Sequence, residues 1–578
     1  MKKKKEQQIP AQTDLLVLGS GAGGMSAALT GAALGLKVLI IEKTDQVGGT
    51  SARSAGSIWI PNTRHSLSKK DNFEKALTYL RKAVGNRLDE ERASIFLKAG
   101  PEMVDFFENK SLIKLRSYHY HPDYLATLEG ATLSGRVLEP LPFEGSILGK
   151  YFQNLRPPLP EFMLFGGMMV DRTDIAHLMN ATKKPKSLWY SLKLLTQYGW
   201  DKIRYGRGTR LVMGNALIGR LYHSLLNHRV QVLFSTEVTS LTLTNDRVTG
   251  AVLVSGSKHS QIDVKAGIIL ATGGFSNNTN LRKSLMPNNI LEKSCVIESA
   301  TGDGLSLAKD VGGRLSVSHD SNSFWAPVSH RKRPDGSTAV FPHFVLDRGK
   351  PGLLAVDPTG KRFVNEATTY HLFGKALSTA LKKFPGRGCF FICDDLFIKK
   401  YGLGMVRPKR IGLQSAIKNG YIVNAKTLEE LALKIKIPIE TLSATILKHN
   451  NYANHGIDKD FRKGEDAYQK NLGDALHKPN PCLGKLTQAP FYGLEVFPGD
   501  IGASAGLITN SSAQVLTKSN NPIEGLYACG NDMESIMAGF YPGPGITIGP
   551  AMTFGYVAAR HAHSSLSNKH SIKKGNNK

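Results

Sequence analysis

A glycine run between two apolar strands fixes most of what this chain can fold into. Asp14-Leu-Leu-Val-Leu18 is apolar with no polar alternation, the pattern of a strand buried on both faces of a parallel sheet. Gly19-Ser-Gly-Ala-Gly-Gly24 follows, with the form G-x-G-x-x-G. Met25–Gly35, small and Ala/Leu-rich, predicts a helix. Lys37-Val-Leu-Ile-Ile41 predicts a second buried strand, ended by Glu42. Strand, glycine turn, helix, strand and an acid about 20 residues on form a dinucleotide fingerprint. Gly19 permits the tight turn, Gly21 lets backbone approach a pyrophosphate, and Gly24 lets helix pack on strand. The diphosphate belongs on the helix N-terminus, beside Ala22 and Gly23, where free N–H groups favour an anion. Glu42 would accept from ribose hydroxyls, and an acid there disfavours the 2′-phosphate of NADP.

Composition sets the class. The chain has 578 residues, 41% hydrophobic and 21% charged, so a folded protein of two to four domains is expected. Five cysteines are too few, and odd in number, for a disulfide framework, which fits a reducing compartment. The net charge of +27 is the unusual feature. Part of it lies in Lys2–Lys5 and in Lys573, Lys574 and Lys578, yet the body is basic without them. No zinc-finger spacing and no basic region running into heptads is present, so nucleic acid is not an expected partner. Glu6–Pro10 follows the first lysines where a signal peptide would be apolar, and the longest apolar run is broken by glycines. The expectation is a cytoplasmic protein. Residues 183–210 carry Lys183, Lys184, Lys186, Lys193, Lys202, Arg204, Arg207 and Arg210 among aromatics, with Leu188, Leu192 and Leu195 at helical spacing. That stretch raises two readings: peripheral contact with an anionic membrane, or a helix packed on the body with a solvated basic face.

Gly48-Gly-Thr-Ser-Ala-Arg-Ser-Ala-Gly56 and Ser57-Ile-Trp-Ile-Pro61 resemble the flavin-contacting segment of the fumarate reductase/succinate dehydrogenase flavoprotein superfamily. The resemblance implies FAD beside Lys43, Gly49, Thr50, Ser51, Ser54 and Gly56. It implies non-covalent FAD, since no His stands where the covalent members carry one. Ala266–Gly274 reads as a buried strand ending in a turn at Gly273 and Gly274. Ala300-Thr-Gly-Asp-Gly304, with Asp303, and Glu524–Asn531, with Gly530 and Asn531, match two further superfamily segments. Val230–Phe234, Val248–Val254 and Gln261–Val264 read as the strands of a β-meander. The fold expected is α/β: a Rossmann-like FAD-binding domain with a β-meander, interrupted by an α+β catalytic lobe. Its parts are residues 1–295, 296–495 and 496–578.

Tyr541-Pro-Gly-Pro-Gly-Ile-Thr-Ile-Gly549 and Pro550-Ala-Met-Thr-Phe-Gly-Tyr556 carry the chemistry. Prolines and glycines should fix a tight, exposed loop that holds the Tyr541 phenol near the Gly545 N–H, before a helix begins within Thr547–Gly555. Two donors on a rigid loop suit a ketone oxygen that gains negative charge. The block is similar to that of 3-ketosteroid 1-dehydrogenases, as are Gly56–Asn62, Gly208–Ala216, His121-Pro-Asp-Tyr124 and Arg362-Phe-Val-Asn-Glu-Ala367 with Tyr370. The resemblance implies that Tyr541 and Gly545 bind the 3-keto oxygen, with Gly545 and Ile546 beside the cofactor. It implies that Tyr370 takes a proton from carbon 2 while a hydride leaves carbon 1 for flavin N5. Tyr124 or Tyr120 would assist the base. A ketosteroid-like substrate and a quinone-like electron acceptor follow from the same resemblance. After Tyr124 the chain reads Leu-Ala-Thr-Leu-Glu, where family members carry a second aromatic and a glycine turn.

Rival chemistries are weaker. Phe324–His330 lacks the His-Pro-Thr motif of fumarate reductases, and the Tyr541 loop is apolar where a dicarboxylate needs charge. A flavin-bearing, lipid-surface binding protein without activity is the non-enzyme alternative. Gly502-Ala-Ser-Ala-Gly506 has the form G-x-S-x-G, but no buried strand is read before it and Leu507-Ile-Thr reads as a strand after it. His119/His121 and His561/His563 lack a third ligand, so no metal is expected.

Overall fold

A computed structural model describes residues 8–66, 71–288, 290, 293–316 and 321–575, with side chains up to 567. Lys2–Lys5 and Lys578, and the side chains of Lys573 and Lys574, lie outside the described residues. Strand β1 (Gln12–Leu18) pairs in parallel with a strand on each edge, which is why Leu15, Leu16 and Val17 are wholly buried. Helix α1 (Ala22–Ala33) starts at the glycine turn itself, with Gly21 as N-cap, and leads to β2 (Val38–Ile41). A long excursion follows, carrying α2 (Arg172–Met179) and α3 (Pro185–Tyr205). The chain returns in β3 (Gln231–Leu233), which pairs in parallel with β2, Val232 opposite Ile40. The Val230–Phe234 segment thus extends the parallel sheet and does not belong to the meander. Its apolar run has no alternation, and that pattern fits a parallel strand better than a half-solvated one.

The meander is β4 (Glu237–Thr244), β5 (Arg247–Ser255) and β6 (Lys258–Leu270). Two expected strands, Gln261–Val264 and Ala266–Leu270, are one. β6 runs antiparallel to β5 as far as Asp263, then parallel to β1 through Leu270. Its burial alternates to residue 265 and is continuous from Ala266, so a single strand passes from solvent edge to core.

A second, antiparallel sheet comes from β7 (Ser323–Lys332), β8 (Thr338–Pro342), β9 (Leu353–Val356), β10 (Cys389–Asp394), β11 (Val423–Ala425) and β12 (Phe491–Ala503). The order is β8-β7-β12-β10-β9, with β11 also on β12. Helix α4 (Tyr370–Ala380) lies so close to β7 that a Cβ at Gly374 would stand 2.6 Å from Trp325 Cβ. The chain then re-enters the first sheet with β13 (Gln514–Leu516) and β14 (Pro522–Ala528), which pairs in parallel with β6 at Ile268–Leu270. The last helix, α5 (Ile548–Gly575), packs on α1. Ser26 Oγ donates to Met552 O at 2.6 Å, and a Cβ at Gly555 would stand 2.5 Å from Gly23 O. The small residues of the Pro550–Tyr556 block serve this close approach.

The G-x-S-x-G segment needs a correction. A buried strand, β12, does run into Gly502-Ala-Ser-Ala-Gly506. No helix follows; Leu507 instead bridges Leu315 and Met533. Ser504 is fully buried, with its N–H on Asn322 O at 2.9 Å, so no exposed nucleophile exists there.

Candidate active site

A cavity of about 910 Å³ runs from the Gly19–Gly24 turn to the seam between the two sheets, large for a small-molecule site. The residues expected around a dinucleotide line it, except Gly274 and Ile546. Gly274 is turned away: its N–H donates to Asp532 Oδ1 at 2.8 Å, and a Cβ there would meet Asn531 O at 2.8 Å. Ile546 is packed in the core.

The lining glycines fall into two groups. Gly19, Gly24 and Gly56 face backbone at contact distance, so they serve the turn and the packing of helix on strand. Gly21, Gly49, Gly273 and Gly530 face almost nothing. A Cβ on Gly21 would meet only Ser51 Oγ at 3.8 Å, and on Gly530 only Ala551 Cβ at 3.9 Å. Gly49, Gly273 and Gly530 also take left-handed backbone conformations that favour glycine, at φ of 52°, 97° and 64°, whereas Gly21, at φ −71°, is required by neither packing nor backbone, and a bound group lying against it accounts for it.

The wall is preset. Glu42 accepts from the backbone N–H of Ser20 at 3.2 Å and from its hydroxyl, and from Thr44 N at 2.9 Å. Lys43 Nζ donates to Asp303 Oδ2 at 2.9 Å and Thr301 Oγ1 at 2.7 Å, tying Ala300–Gly304 to the end of β2. Asp532 was not among the expected residues. It is fully buried and accepts from Thr272 N, Thr272 Oγ1 and Gly274 N, clamping the turn after β6 to the turn after β14. Burial raises its carboxyl to about 6. The one sequence signal was an acid directly after Gly530 and Asn531.

At the seam, three tyrosines from distant parts of the chain meet. Tyr124 Oη donates to Tyr370 Oη at 3.3 Å. The Tyr370 and Tyr541 rings are 5.0 Å apart, and Tyr124 stacks on Tyr541 at 5.9 Å. All three line the cavity and are buried. Tyr120, the alternative partner, is 45% exposed and lies off the cavity. Tyr370 is the first residue of α4, and the Thr369 side chain caps that helix by accepting from Leu372 N.

Two distant motifs hold this arrangement together. The Tyr541 loop is buried, not exposed, because it packs on the Ser57–Trp59 segment. A Cβ on Gly543 would strike the Trp59 ring at 2.7 Å, and one on Gly545 would strike Ser57 O. Trp59 N–H donates to Gly545 O at 3.2 Å, and Tyr124 N–H to Pro542 O at 2.9 Å. The Gly545 N–H donates to no group among the described residues. Below Tyr124, Asp123 accepts from Trp59 Nε1 at 2.8 Å and Arg136 Nη1 at 2.9 Å. His121-Pro-Asp-Tyr124, Gly56–Asn62 and the Tyr541 loop therefore form one bonded unit.

Burial, with the neighbouring phenols, pushes Tyr370 and Tyr124 well above the ordinary phenol range, and burial also raises Tyr541. Burial likewise raises Tyr468, whose ring lies 4.6 Å from that of Tyr124, and a cation opposes the rise at both. Arg348 is fully buried and donates to four carbonyls: His343, Phe344, Glu366 and Thr368. It forms no ion pair among the described residues, so its charge acts on both phenols. No local pattern marked Arg348. Arg362 of the R-F-x-N-E motif lies elsewhere, in a buried network with Glu366 and Asp458 at 2.8 and 2.9 Å.

Comparison with known proteins shows the family to which the chain belongs. Residues 14–548 match the family model described as FAD binding domain. The chain is 36% identical over 551 residues to a 4-oxocyclohex-2-ene-1-carboxylate 5-dehydrogenase of Sinomonas cyclohexanicum, covering 95% of this chain and 93% of that one. It is 35% identical over 565 residues to a 3-oxosteroid 1-dehydrogenase of Mycolicibacterium smegmatis, covering 94% and 96%. Among solved structures it resembles a 3-ketosteroid Δ1-dehydrogenase of Sterolibacterium denitrificans, crystallised with 1,4-androstadiene-3,17-dione. The TM-score is 0.89 at 35% identity, covering 96% of this chain and 100% of that one. The cavity wall is compatible with FAD: at the N-terminus of α1, Gly21 leaves the backbone open for the close approach that a diphosphate needs.

Proposed function

This chain belongs to the 3-ketosteroid 1-dehydrogenase family of FAD-dependent oxidoreductases acting on CH–CH groups, and from that premise we propose that it desaturates a ring ketone, removing a hydride and a proton from adjacent carbons. The observation that carries the reading is the meeting of Tyr124, Tyr370 and Tyr541 at the far end of the glycine-walled cavity. FAD, held non-covalently along the Gly19–Gly24 turn and residues 49–56, supplies the hydride acceptor when bound.

The residues of the chain do the rest. The Tyr541 phenol and the unpaired Gly545 N–H bind the ketone oxygen, and their pull grows as the oxygen becomes an enolate. This acidifies the neighbouring carbon. Tyr370, as phenolate, takes the proton from that carbon and becomes a phenol. Tyr124 donates to the Tyr370 oxygen, a bond that orients the base and strengthens as that oxygen takes on charge, against the burial that holds the phenol up. The second carbon gives up its hydrogen with both electrons, and the ring gains a double bond. A quinone-like acceptor then removes the two electrons.

Phe162, Phe341, Phe344, Leu346, Met169 and Val170 line the outer arm, a surface for a bulky apolar ketone such as a 3-ketosteroid. Arg172 lines the cavity too, with its guanidinium 5.5 Å over the Tyr118 ring, which favours a small ring ketone bearing a carboxylate as the second reading. Anaerobic mixing with a panel of both kinds decides. Bleaching of the flavin absorbance by ketosteroids supports the first reading. Bleaching only by ring-ketone carboxylates supports the second, and no bleaching by either overturns both.

A further inference from the structure

Helix α3 is built inside out. A surface helix normally turns its apolar stripe inward and its polar face to water. In α3 the buried residues are Ser187, Ser191, Leu194 and Tyr198. The large side chains of the outward arc are Leu188, Trp189, Leu192, Leu195, Trp200 and Ile203, with the small Thr196 and Gly199 exposed among them. Trp189, Trp200 and Ile203 are 75%, 76% and 84% exposed. At 3.6 residues per turn these six share one arc. Lys186, Lys193 and Arg204 lie along one border of the arc and Lys202 along the other, all exposed. Asp201, the only acid in α3, is turned to Thr209 and accepts from its N–H and hydroxyl at 2.8 Å each. The face is therefore apolar, aromatic and bordered by one sign of charge. A contiguous exposed patch of this kind marks a contact surface, and basic flanks with tryptophans match an anionic lipid interface.

The same helix is bolted to the mouth of the cavity. Tyr198 Oη donates to Phe165 O at 2.7 Å, and the Tyr198 ring packs with Met168 and Val170. Tyr190 Oη donates to Asp174 Oδ1 of α2 at 2.6 Å. Val170 and the α2 residues Arg172 and Ile175 line the cavity, and Ile175 is also exposed, as is Phe162 nearby. The outer wall of the cavity and the outward face of α3 thus belong to one packed unit.

We propose that the outward face of α3 seats this enzyme on an anionic bilayer surface, and that an apolar ring ketone enters the cavity from that lipid through the α2 side. Docking stands on the α3 face alone; substrate transfer rests on the ring-ketone reading above. Charge complementarity selects lipid over a second copy of the chain, because two such faces would bring like-charged borders together.

The test uses the full-length holoenzyme and its Trp189→Ser/Trp200→Ser/Ile203→Ser variant. Vesicles of phosphatidylcholine with phosphatidylglycerol should sediment the parent at low salt, less so at high salt, and pure phosphatidylcholine vesicles should hold it weakly. Trp59 and Trp325 are buried, so a blue shift of tryptophan emission reports Trp189 and Trp200. The variant should keep its flavin spectrum and its turnover of a water-soluble ring ketone, yet bind the anionic vesicles about tenfold or more weakly. Its turnover of a ketosteroid dissolved in those vesicles should fall by a similar factor. Equal sedimentation of parent and variant, or no sedimentation of the parent at low salt, overturns docking. A parent dimer that the variant dissolves, with no vesicle binding by either, assigns the face to a second copy and overturns it too. If the parent binds vesicles but oxidises no ring ketone, docking stands and the ring-ketone reading fails. If both proteins oxidise vesicle-dissolved ketosteroid equally while only the parent binds, transfer from lipid is wrong.

Discussion

Tyr124 and Tyr370 lie 246 residues apart, yet the Tyr124 phenol donates to the Tyr370 oxygen at 3.3 Å, with the two rings edge to face. Losing a hydrogen bond to a charged oxygen costs about 1.5–3 kcal/mol, or roughly 10–100-fold in rate. Tyr124→Phe should therefore slow ring-ketone oxidation by about that factor. Tyr120→Phe should leave it unchanged, since Tyr120 is off the cavity. Steady-state kcat/KM for the two variants checks this. Equal losses would contradict the pairing.

Burial holds the Tyr370 phenol above its ordinary range, so its phenolate is a minor form at neutral pH. The sign follows directly: activity that needs the phenolate must rise with pH until the raised pKa is reached. The rate should approach a tenfold gain per unit between about pH 7 and 9. A pH profile of kcat/KM with anaerobic flavin reduction as readout measures it. A plateau beginning below about pH 8 would be inconsistent with a buried phenol as base.

Arg348 is a positioning residue whose charge favours ionisation of Tyr124 and Tyr468. Because Tyr124 and Tyr370 share a hydrogen bond, Arg348→Met should slow the reaction by about tenfold or more and move the alkaline limb of the pH profile upward. Arg348→Lys should recover part of the shift, because it returns the charge without the full set of carbonyl bonds. A rate loss with an unmoved pH profile would show that Arg348 only supports the fold.

Part of this site was legible in the sequence because its physics is local. Gly19–Gly24 between apolar strands specifies a turn, a helix N-terminus and a close backbone approach within about 30 residues. The Tyr541 loop was legible for the same reason, through its alternating prolines and glycines. What was not legible depends on packing between distant segments. The loop was expected to be exposed, but Gly543 and Gly545 exist to fit Trp59 and Ser57, almost 500 residues earlier, a contact with no local signature. Asp532 and Arg348 act through partners on other strands, and β6 joins two roles that sequence alternation had split into two strands. The inverted face of α3 was only half visible: the spacing gave an amphipathic helix, and the structure gave its orientation.

A side chain on Gly21 would project into the cavity, since a Cβ there meets only Ser51 Oγ at 3.8 Å. Gly21→Val should fold and lose FAD. Parent protein, denatured in acid and centrifuged, should release all its yellow colour to the supernatant, as non-covalent FAD requires. A Gly21→Val protein that purifies with a full complement of flavin would contradict the placement of the diphosphate, and colour kept in the parent's pellet would contradict non-covalent attachment.

The central claim is a division of labour: Tyr370 moves the proton, while Tyr541 and Gly545 hold the oxygen. Exchange of the proton beside the ketone with deuterated water, without net oxidation, tests it most directly. Tyr541→Phe removes one of two donors, so exchange should slow by about 10²–10³ but persist. Tyr370→Phe removes the base, so exchange should fall by at least about 10²–10⁴, to the uncatalysed rate. Both variants should stay yellow, because neither residue lies on the Gly19–Gly24 wall. If Tyr370→Phe exchanges that proton at the parental rate, Tyr370 is not the base and the account of the tyrosine cluster is wrong.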